Sequence, residues 1–413
     1  MSKKSLILLW SIVALLIVGV ISLTVKKSDS GEAKTNRSRG QTLMESFPAK
    51  DVASIKINGL DQSVTLTKKD TGWIVSERED YPANTATINS LLRTIEDVKI
   101  NNAIEAGPTY AKRFGIDLTA KTQQDHGIEL TFVDAKKENI ATIFLGKEAE
   151  SGGRFIQNAA DTSGIYVTSE SFPTATASAK DWLDDEFFKV EKIKSITVTS
   201  AGNPEKSEWK VSRSDENAEF SLEGAQAGET LDTNMASQWK TVLSAARFQD
   251  VALAADYSKL ASAADRQIAT ITTVDGFTYT ITIVAKPAAP AKPATAGEPP
   301  APEEEKAYNI SVKVEGTFAK ERTKAADEKP EDAKTKDEEF AKNSKLLADK
   351  LKTEQGFQGR AYEVSSYVID SLLKPRAEIL SKATPPAPGP EIPPGLSPIP
   401  QESVTPPISI DGQ

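Results

Sequence analysis

The chain has 413 residues, 38% of them apolar, which fits two or three globular domains diluted by polar segments. Its net charge of −9 argues against a nucleic-acid partner, because a phosphate backbone is bound through clustered Lys and Arg side chains. Cysteine is absent, which excludes disulfide scaffolds, thiolate nucleophiles and cysteine-based zinc sites.

An uncharged apolar run near the N-terminus predicts a membrane anchor. The run extends from Leu6 to Val25, and a helix of that length rises about 30 Å, which matches the hydrocarbon core of a bilayer. No small-x-small cleavage site follows, so we predict an uncleaved, single-pass signal anchor. Lysines flank both ends and leave the orientation open, but a short N-terminal tail most often stays in the cytoplasm, which places the bulk of the chain outside it. The apolar residues of the anchor are Leu6, Ile7, Leu8, Leu9, Trp10, Ile12, Val13, Leu15, Leu16, Ile17, Val18, Val20, Ile21, Leu23 and Val25.

The body of the chain carries the same order of elements twice, about 140 residues apart. Alternating apolar and polar residues predict the opening strands at 52–58 and 63–69 in the first copy, and at 193–200 and 209–212 in the second. Each copy continues with an amphipathic helix whose apolar stripe should cover one face of a sheet. The two stripes are Ile88, Leu91, Leu92, Ile95 and Val98, and Met235, Trp239, Val242, Leu243 and Ala246.

A connector and a β-hairpin follow each helix. The connectors are residues 110–117, where Gly115 should supply a positive-φ turn, and 256–260; the hairpins are residues 127–146 and 267–286. Two further strands close each copy. The predicted fold class is therefore α+β, with two tandem repeats of antiparallel β-sheet, one packed amphipathic helix in each, and one N-terminal transmembrane helix before them.

The predicted domain organisation follows from composition, because the prolines, 23 in all, cluster at residues 287–302 and 385–406. Proline-rich and highly charged stretches bury too little apolar area to offset their ordering entropy, although heptad-like spacing of Phe340, Leu347 and Leu351 predicts a short exposed helix. The predicted segments are the anchor (1–25), a flexible stalk (26–46), the first repeat (47–190), the second repeat (191–383) with a Pro-rich insert (287–307) and a charged insert (320–355), and a disordered Pro-rich tail (384–413).

No group of residues predicts catalysis. His126 is the single histidine and reads as a turn residue, and the segment Asp184-Asp185-Glu186 reads as a solvated junction rather than an acid/base pair. Gly152-Gly153-Arg154 lacks the spacing of a phosphate-binding loop and fits a hairpin turn. We therefore predict no enzyme activity, catalytic residue, cofactor or metal ligand.

Trp73 and Trp209 are the two candidates for a binding surface. Each begins a strand that leads toward the helix of its repeat. Their rings could stack on a sugar or a peptide, or they could pack in the core or at its rim, which large aromatic side chains favour. The sequence leaves both interpretations open.

The motifs of the first copy resemble one bacterial family, the domain of unknown function 4340. They are Gly72-Trp73, residues 81–84, Leu91-Leu92, residues 114–117, residues 144–146, residues 154–156 and residues 165–167. The resemblance covers residues 47–380 and is looser in the second copy. It implies an N-terminal anchor in the bacterial inner membrane, an extracytoplasmic body and an accessory role beside ABC-type transporters of the gliding-motility auxiliary kind.

Three functions remain open at this point. The first is a membrane-anchored, non-catalytic binding or scaffold protein, with the lipid bilayer and an ABC-type transporter complex as partners and no known small-molecule ligand. The second is a cell-wall polymer or carbohydrate binder, or a weak hydrolase, that uses Trp73, Trp209 and residues 184–186. The third is a mechanical spacer that presents the Pro-rich tail.

Overall fold

A computed structural model describes residues 35–105, 108–201, 203–287, 306–324 and 328–381 of the chain. The predicted anchor, most of the Pro-rich insert and the predicted tail lie outside the described residues. Within those residues, no helix is both long and apolar enough to span a bilayer.

The first half of the chain forms an antiparallel sheet that has nine strands among the described residues. Its strand order is β4-β3-β2-β1-β6-β7-β8-β9-β5. The strands are β1 (Val52–Asn58), β2 (Ser63–Lys69), β3 (Gly72–Val75), β4 (Tyr81–Pro82), β5 (Ile100–Ile104), β6 (Ile128–Asp134), β7 (Asn139–Glu148), β8 (Arg154–Asn158) and β9 (Ile165–Thr168).

The second half forms an antiparallel sheet with eight strands in the described part of the chain, in the order β12-β11-β10-β14-β15-β16-β17-β13. The predicted α+β class with two large antiparallel sheets is thus confirmed. The strands are β10 (Ile193–Ser200), β11 (Asn203–Ser212), β12 (Ser221–Leu222), β13 (Asp250–Ala252), β14 (Gln267–Thr273), β15 (Phe277–Ala285), β16 (Ala307–Gly316) and β17 (Ala361–Ser365).

The two sheets have the same topology, strand for strand, from β3 through β5 and from β12 through β13. They also share a β-bulge at the start of the first strand of each repeat, between Val52 and Ser54 and between Ile193 and Ser195. A bulge interrupts the ladder at one defined residue, so it provides a common register for counting equivalent positions. By this count β11 corresponds to β2, and Trp209 is therefore not the counterpart of Trp73, which lies in β3.

The first repeat contains one α-helix among its described residues, α1 (Thr85–Asp97). The Asn84 side chain accepts the Thr87 N–H and caps the N-terminus of this helix. Ile88, Leu91, Leu92 and Ile95 are buried along one face, as their spacing predicts.

The prediction that the second repeat contains one packed helix and one exposed helix is wrong, because four α-helices lie in its described residues. Helix α2 (Thr233–Trp239) is the equivalent of α1, and it ends before the predicted apolar stripe does. Val242 and Leu243 of that stripe are buried after the end of the helix. Leu243 has a left-handed backbone (φ 63), which a right-handed helix cannot contain. The other helices are α3 (Ala254–Ser262), α4 (Pro330–Gln355) and α5 (Ser366–Leu373).

Helix α4 is longer than the predicted short helix, at 26 residues, and most of its surface is exposed. Leu347 and Leu351 pack against the core, as their spacing predicts. Near its start, Arg322 donates hydrogen bonds to Glu328 and Asp337 and ties the preceding loop to the helix.

One hydrophobic core runs through both repeats. At the junction Phe187 makes ring contacts with Phe248, Phe357 and Tyr362, and Tyr81 of the first repeat contacts Tyr362. Edge-to-face aromatic contacts of this kind stabilise a packed interface beyond their buried area. The repeats are therefore joined by packed side chains.

Residues 35–46, the described end of the predicted stalk, lie along the first sheet. Leu43 is buried in the core, and the Gly40 N–H donates to the Ile100 carbonyl oxygen at 2.7 Å. This packing corrects the prediction of a flexible stalk over the whole of residues 26–46. Residues 35–46 contribute a buried side chain and a backbone hydrogen bond to the first repeat.

Candidate functional site

A strained turn of the first repeat reaches into the second. After the 3-10 turn Ser76–Arg78, Glu79 (φ 54) and Asp80 (φ 59) both have left-handed backbones, which cost free energy in residues other than glycine. The turn aims two side chains across the junction. Arg78 donates from Nε and Nη2 to the two carboxylate oxygens of Asp250, at 2.6 and 2.8 Å, and Glu79 accepts the N–H of Ala254 at the start of α3.

The Arg78–Asp250 pair is a bidentate ion pair at partial exposure. Its hydrogen bonds to Asp250 raise the pKa of Arg78 above its ordinary value, with the Asp250 charge adding to this and burial opposing it. A planar guanidinium fixes both the distance and the orientation of a carboxylate. The pair therefore defines the geometry where the repeats meet.

A cleft of about 710 Å³ opens beside this pair, and we call it the junction cleft. Its floor is a row of four residues on neighbouring strands, Val284, Asn309, Glu363 and Asp250, each directly opposite the next in register. Helix α3 lies over this row and contributes Leu260. The volume falls within the range of ligand pockets in proteins.

The junction cleft is lined by both signs of charge. Its carboxylates among the described residues are Asp250, Asp256, Asp265 and Glu363, and its cations are Arg78, Lys259 and Lys286.

Two of these carboxylates form an unusual cross-strand pair. Asp250 lies directly opposite Glu363 on adjacent strands, and like charges at such positions destabilise a sheet. Arg78 offsets the charge of Asp250, and the Lys286 Nζ pairs with Glu363. The floor of the cleft therefore contains two adjacent carboxylates. Their repulsion costs free energy, and cations from two different segments reduce that cost.

The equivalent place in the first repeat is filled by the chain itself. Counting from the shared bulge, Gly146, Phe155, Val167 and Asn102 correspond to Val284, Asn309, Glu363 and Asp250. The ring of Phe114, from the connector, packs against Phe155 at 4.8 Å between centroids.

Glycine at position 146 permits this closure. A Cβ at Gly146 would lie 2.2 Å from the Phe114 carbonyl oxygen, so any side chain there would push the connector away from the sheet. Val284 occupies that position in the second repeat. The second repeat thus has an open, polar cleft where the first has a closed apolar cluster.

Trp73 and Trp209, the sequence candidates, are both buried in the core, at 5% and 1% exposure. The Trp209 Nε1–H donates to the Lys374 carbonyl oxygen at 2.8 Å, and its ring stacks on Trp239 at 5.1 Å between centroids. Neither indole face is open to a ligand. Of the two interpretations left open by the sequence, core packing is therefore the correct one for both rings, and neither forms a binding surface.

The other residues weighed in the sequence lie apart from the junction cleft. His126 Nδ1 is 2.6 Å from the Gly127 carbonyl oxygen, and Asp185 pairs with Arg247. Gly153 has φ 78, and a Cβ there would lie 1.7 Å from the Thr168 carbonyl oxygen, which fits a close turn. In the described part of the chain no three His, Cys, Asp or Glu side chains are grouped so as to hold a metal ion.

A buried carboxyl lies on the last turn of α4. Glu354 is 5% exposed, its Oε1 accepts the Lys189 N–H at 3.2 Å, and its Oε2 has no hydrogen-bond partner among the described residues. Burial raises the pKa of Glu354 to about 7; the Glu191 charge acts in the same direction, and the Lys189 N–H and the Lys350 charge oppose it. This carboxyl is outside the junction cleft and bears on stability.

Sequence reasoning did not find Arg78, Asp250, Asn309 or Glu363. These residues come from four distant segments, and none belongs to a chemical motif. The internal repeat was the one signal that could have found them. When the two copies are aligned by strand register, the apolar Phe155 and Val167 of the first copy correspond to the polar Asn309 and Glu363 of the second.

Fold and site together define an α+β protein built from a duplicated antiparallel sheet, with a charged cleft where the repeats meet. Residues 73–266 match the family described as Domain of unknown function (DUF4340), which is the family that the motifs of the first copy resemble. The matched segment includes Arg78 and Asp250 and ends before Asn309 and Glu363. No curated protein and no solved structure matches the chain.

Proposed function

We propose that the protein is a non-catalytic binding or scaffold protein that recruits a partner through the junction cleft. One observation carries this proposal. The two repeats share a topology, but only the second keeps a polar cleft at the position that Phe114 closes in the first. A closed apolar cluster satisfies packing and burial at this place in the fold. An open cleft with two adjacent carboxylates gives up that stabilisation, and such local departures from good packing are typical of functional sites.

The apolar run Leu6 to Val25 supports a role at a membrane. Nine residues separate Val25 from Thr35, and even a fully extended chain across this interval reaches only about 35 Å. A body held this close to the bilayer would meet membrane proteins at high effective concentration. We therefore propose a single-pass anchor in the bacterial inner membrane and an extracytoplasmic body.

The proposed partner is a membrane transport complex of the ABC type. Support for this choice comes from the family resemblance and from the tether. No feature of the described residues favours the polymer-binding alternative once Trp73 and Trp209 are assigned to the core. The spacer alternative rests on residues 384–413, which lie outside the described residues.

Site-specific photocrosslinking in membranes tests the proposal. A crosslinking amino acid at Ala285, exposed at the rim of the cleft, should trap a membrane protein. The matched control is Lys56, exposed on the first sheet and away from the cleft. Equal products from both positions, or none from Ala285, would contradict the cleft as the binding site.

Protease treatment of intact and permeabilised cells tests the location. The body should be cleaved when the protease reaches only the extracytoplasmic side. Protection of the body until the inner membrane is opened would place it in the cytoplasm and overturn that part of the proposal.

A further inference from the structure

We infer that the junction cleft binds a polypeptide segment that carries a bulky apolar side chain next to basic side chains. This inference rests on the proposed function, because it assigns a ligand class to the same site. The first repeat is an internal template for the ligand, and the charge of the cleft is a second, separate observation.

The first repeat shows how a chain segment occupies this place in the fold. Phe114 and Ile116 are buried against the outer face of the sheet, and the Lys147 N–H donates to the Phe114 carbonyl oxygen at 2.8 Å. Gly115, at φ 66, provides the predicted positive-φ turn between the two side chains. An apolar side chain and one backbone hydrogen bond therefore dock a segment onto this face.

The second repeat covers the same row with α3 but keeps a cleft there, and this cleft has apolar walls. Val284 forms the floor, Leu260 is buried on α3, and Leu253 is exposed at the rim. A cleft of about 710 Å³ with these walls can accept a bulky apolar side chain in the position that Phe114 takes in the first repeat. The apolar part of the ligand follows from this internal comparison.

The charge of the cleft specifies the rest of the ligand. The cleft carries one more carboxylate than cations, and each cation is already paired: Arg78 with Asp250, Lys259 with Asp256 and Lys286 with Glu363. A carboxylate offers about four acceptor positions, so each pair retains room for a further donor. Val167 and Asn102 stand at the equivalent places in the first repeat, so the acidic charge occurs only where the cleft is open.

A peptide from the first repeat is a suitable probe. Residues 111–118, Ala-Lys-Arg-Phe-Gly-Ile-Asp-Leu, combine two basic residues with the side chain that closes the first repeat. The full chain in detergent or a nanodisc is titrated against this fluorescent peptide, and binding is measured by anisotropy. We expect saturable binding that weakens at least tenfold when Ala replaces the Phe, or when Glu replaces both basic residues.

Variants of the protein locate the binding. Asn309→Phe installs the residue of the first repeat and should weaken peptide binding at least tenfold, while Glu363→Gln should weaken it at least threefold. Thr280→Phe is the matched control, since Thr280 lies on the same outer face but does not line the cleft, and it should leave binding unchanged. Thermal unfolding of each variant establishes that it folds.

The outcomes separate this inference from the proposed function. Absence of saturable binding, equal binding of the Glu-substituted peptide, or insensitivity to Asn309→Phe would overturn the ligand class. If crosslinks at Ala285 persist in that case, the proposed function stands with a different ligand. Absence of a crosslinked membrane protein at Ala285 would overturn the proposed function itself.

Discussion

Arg78 of the first repeat binds Asp250 of the second through two hydrogen bonds, 172 positions apart in the sequence. The guanidinium reaches Asp250 from a turn with two left-handed residues, and Asp250 lies directly opposite Glu363 in the floor of the junction cleft. This pair links how the repeats are joined to how the cleft is built.

Removal of Arg78 should destabilise the protein and loosen the junction. Arg78→Ala leaves Asp250 beside Glu363 without its cation, and we expect the free energy of unfolding to fall by about 1–2 kcal/mol. Arg78→Lys should recover less than half of this loss, because an ammonium cannot bind both carboxylate oxygens in one plane. Urea unfolding of Arg78→Ala, Asp250→Asn and the double variant measures the coupling. Strictly additive effects would contradict a direct pair.

Glu354 should make stability depend on pH. Its pKa is raised from the ordinary 4.5 to about 7 in the folded protein, so the folded state holds a proton that the unfolded state releases. The stabilisation is fully present below pH 4.5 and is lost as the pH rises through 7. Glu354→Gln, which mimics the neutral acid, should be more stable than the wild type at pH 8, by on the order of 2 kcal/mol.

Unfolding curves between pH 4 and 8 test this prediction. Glu338→Gln, an exposed position on the same helix, is the matched control and should keep the wild-type pH profile. A Glu354→Gln variant with an unchanged pH profile would show that another group is responsible.

Gly146 should not tolerate a side chain. Gly146→Ala places a Cβ 2.2 Å from the Phe114 carbonyl oxygen, so we expect a loss of about 2–3 kcal/mol of stability as the connector is displaced. Gly228→Ala is the comparison, since Gly228 has φ 89 and open space around it, and its cost should be about 1 kcal/mol of backbone strain. Equal costs for both variants would argue against close packing of the connector.

Trp209 should matter for stability and not for binding. Trp209→Ala removes a fully buried ring stacked on Trp239, and we expect a loss of about 3–5 kcal/mol. Trp209→Phe should lower the melting temperature less and leave binding of the 111–118 peptide unchanged. Weakened peptide binding in a folded Trp209→Phe variant would restore the tryptophan to the functional surface.

The local elements could be predicted because their signals are short-range. The period of apolar residues in 52–58 and 63–69 predicts strands, and the stripe from Ile88 to Ile95 predicts the buried face of α1. The same method failed at α2, where Val242 and Leu243 fit the helical stripe but are buried after the helix has ended. Burial after a turn gives the same spacing as burial on a helix face.

The sequence by itself determined the α+β class, the internal repeat, the resemblance to the matched family and the absence of a recognisable catalytic motif. Each of these depends on composition or on short patterns, and the repeat is visible because the same short patterns recur in the same order. Only the tertiary structure decided the site, because register brings Val284, Asn309, Glu363 and Asp250 into one row from strands far apart in the chain. The tertiary structure also decided that Trp209 packs on Trp239. A tryptophan at the start of a predicted strand has the same local sequence pattern whether its ring is buried or exposed. Cross-strand neighbours are set by how the whole sheet pairs, and no single segment encodes that pairing.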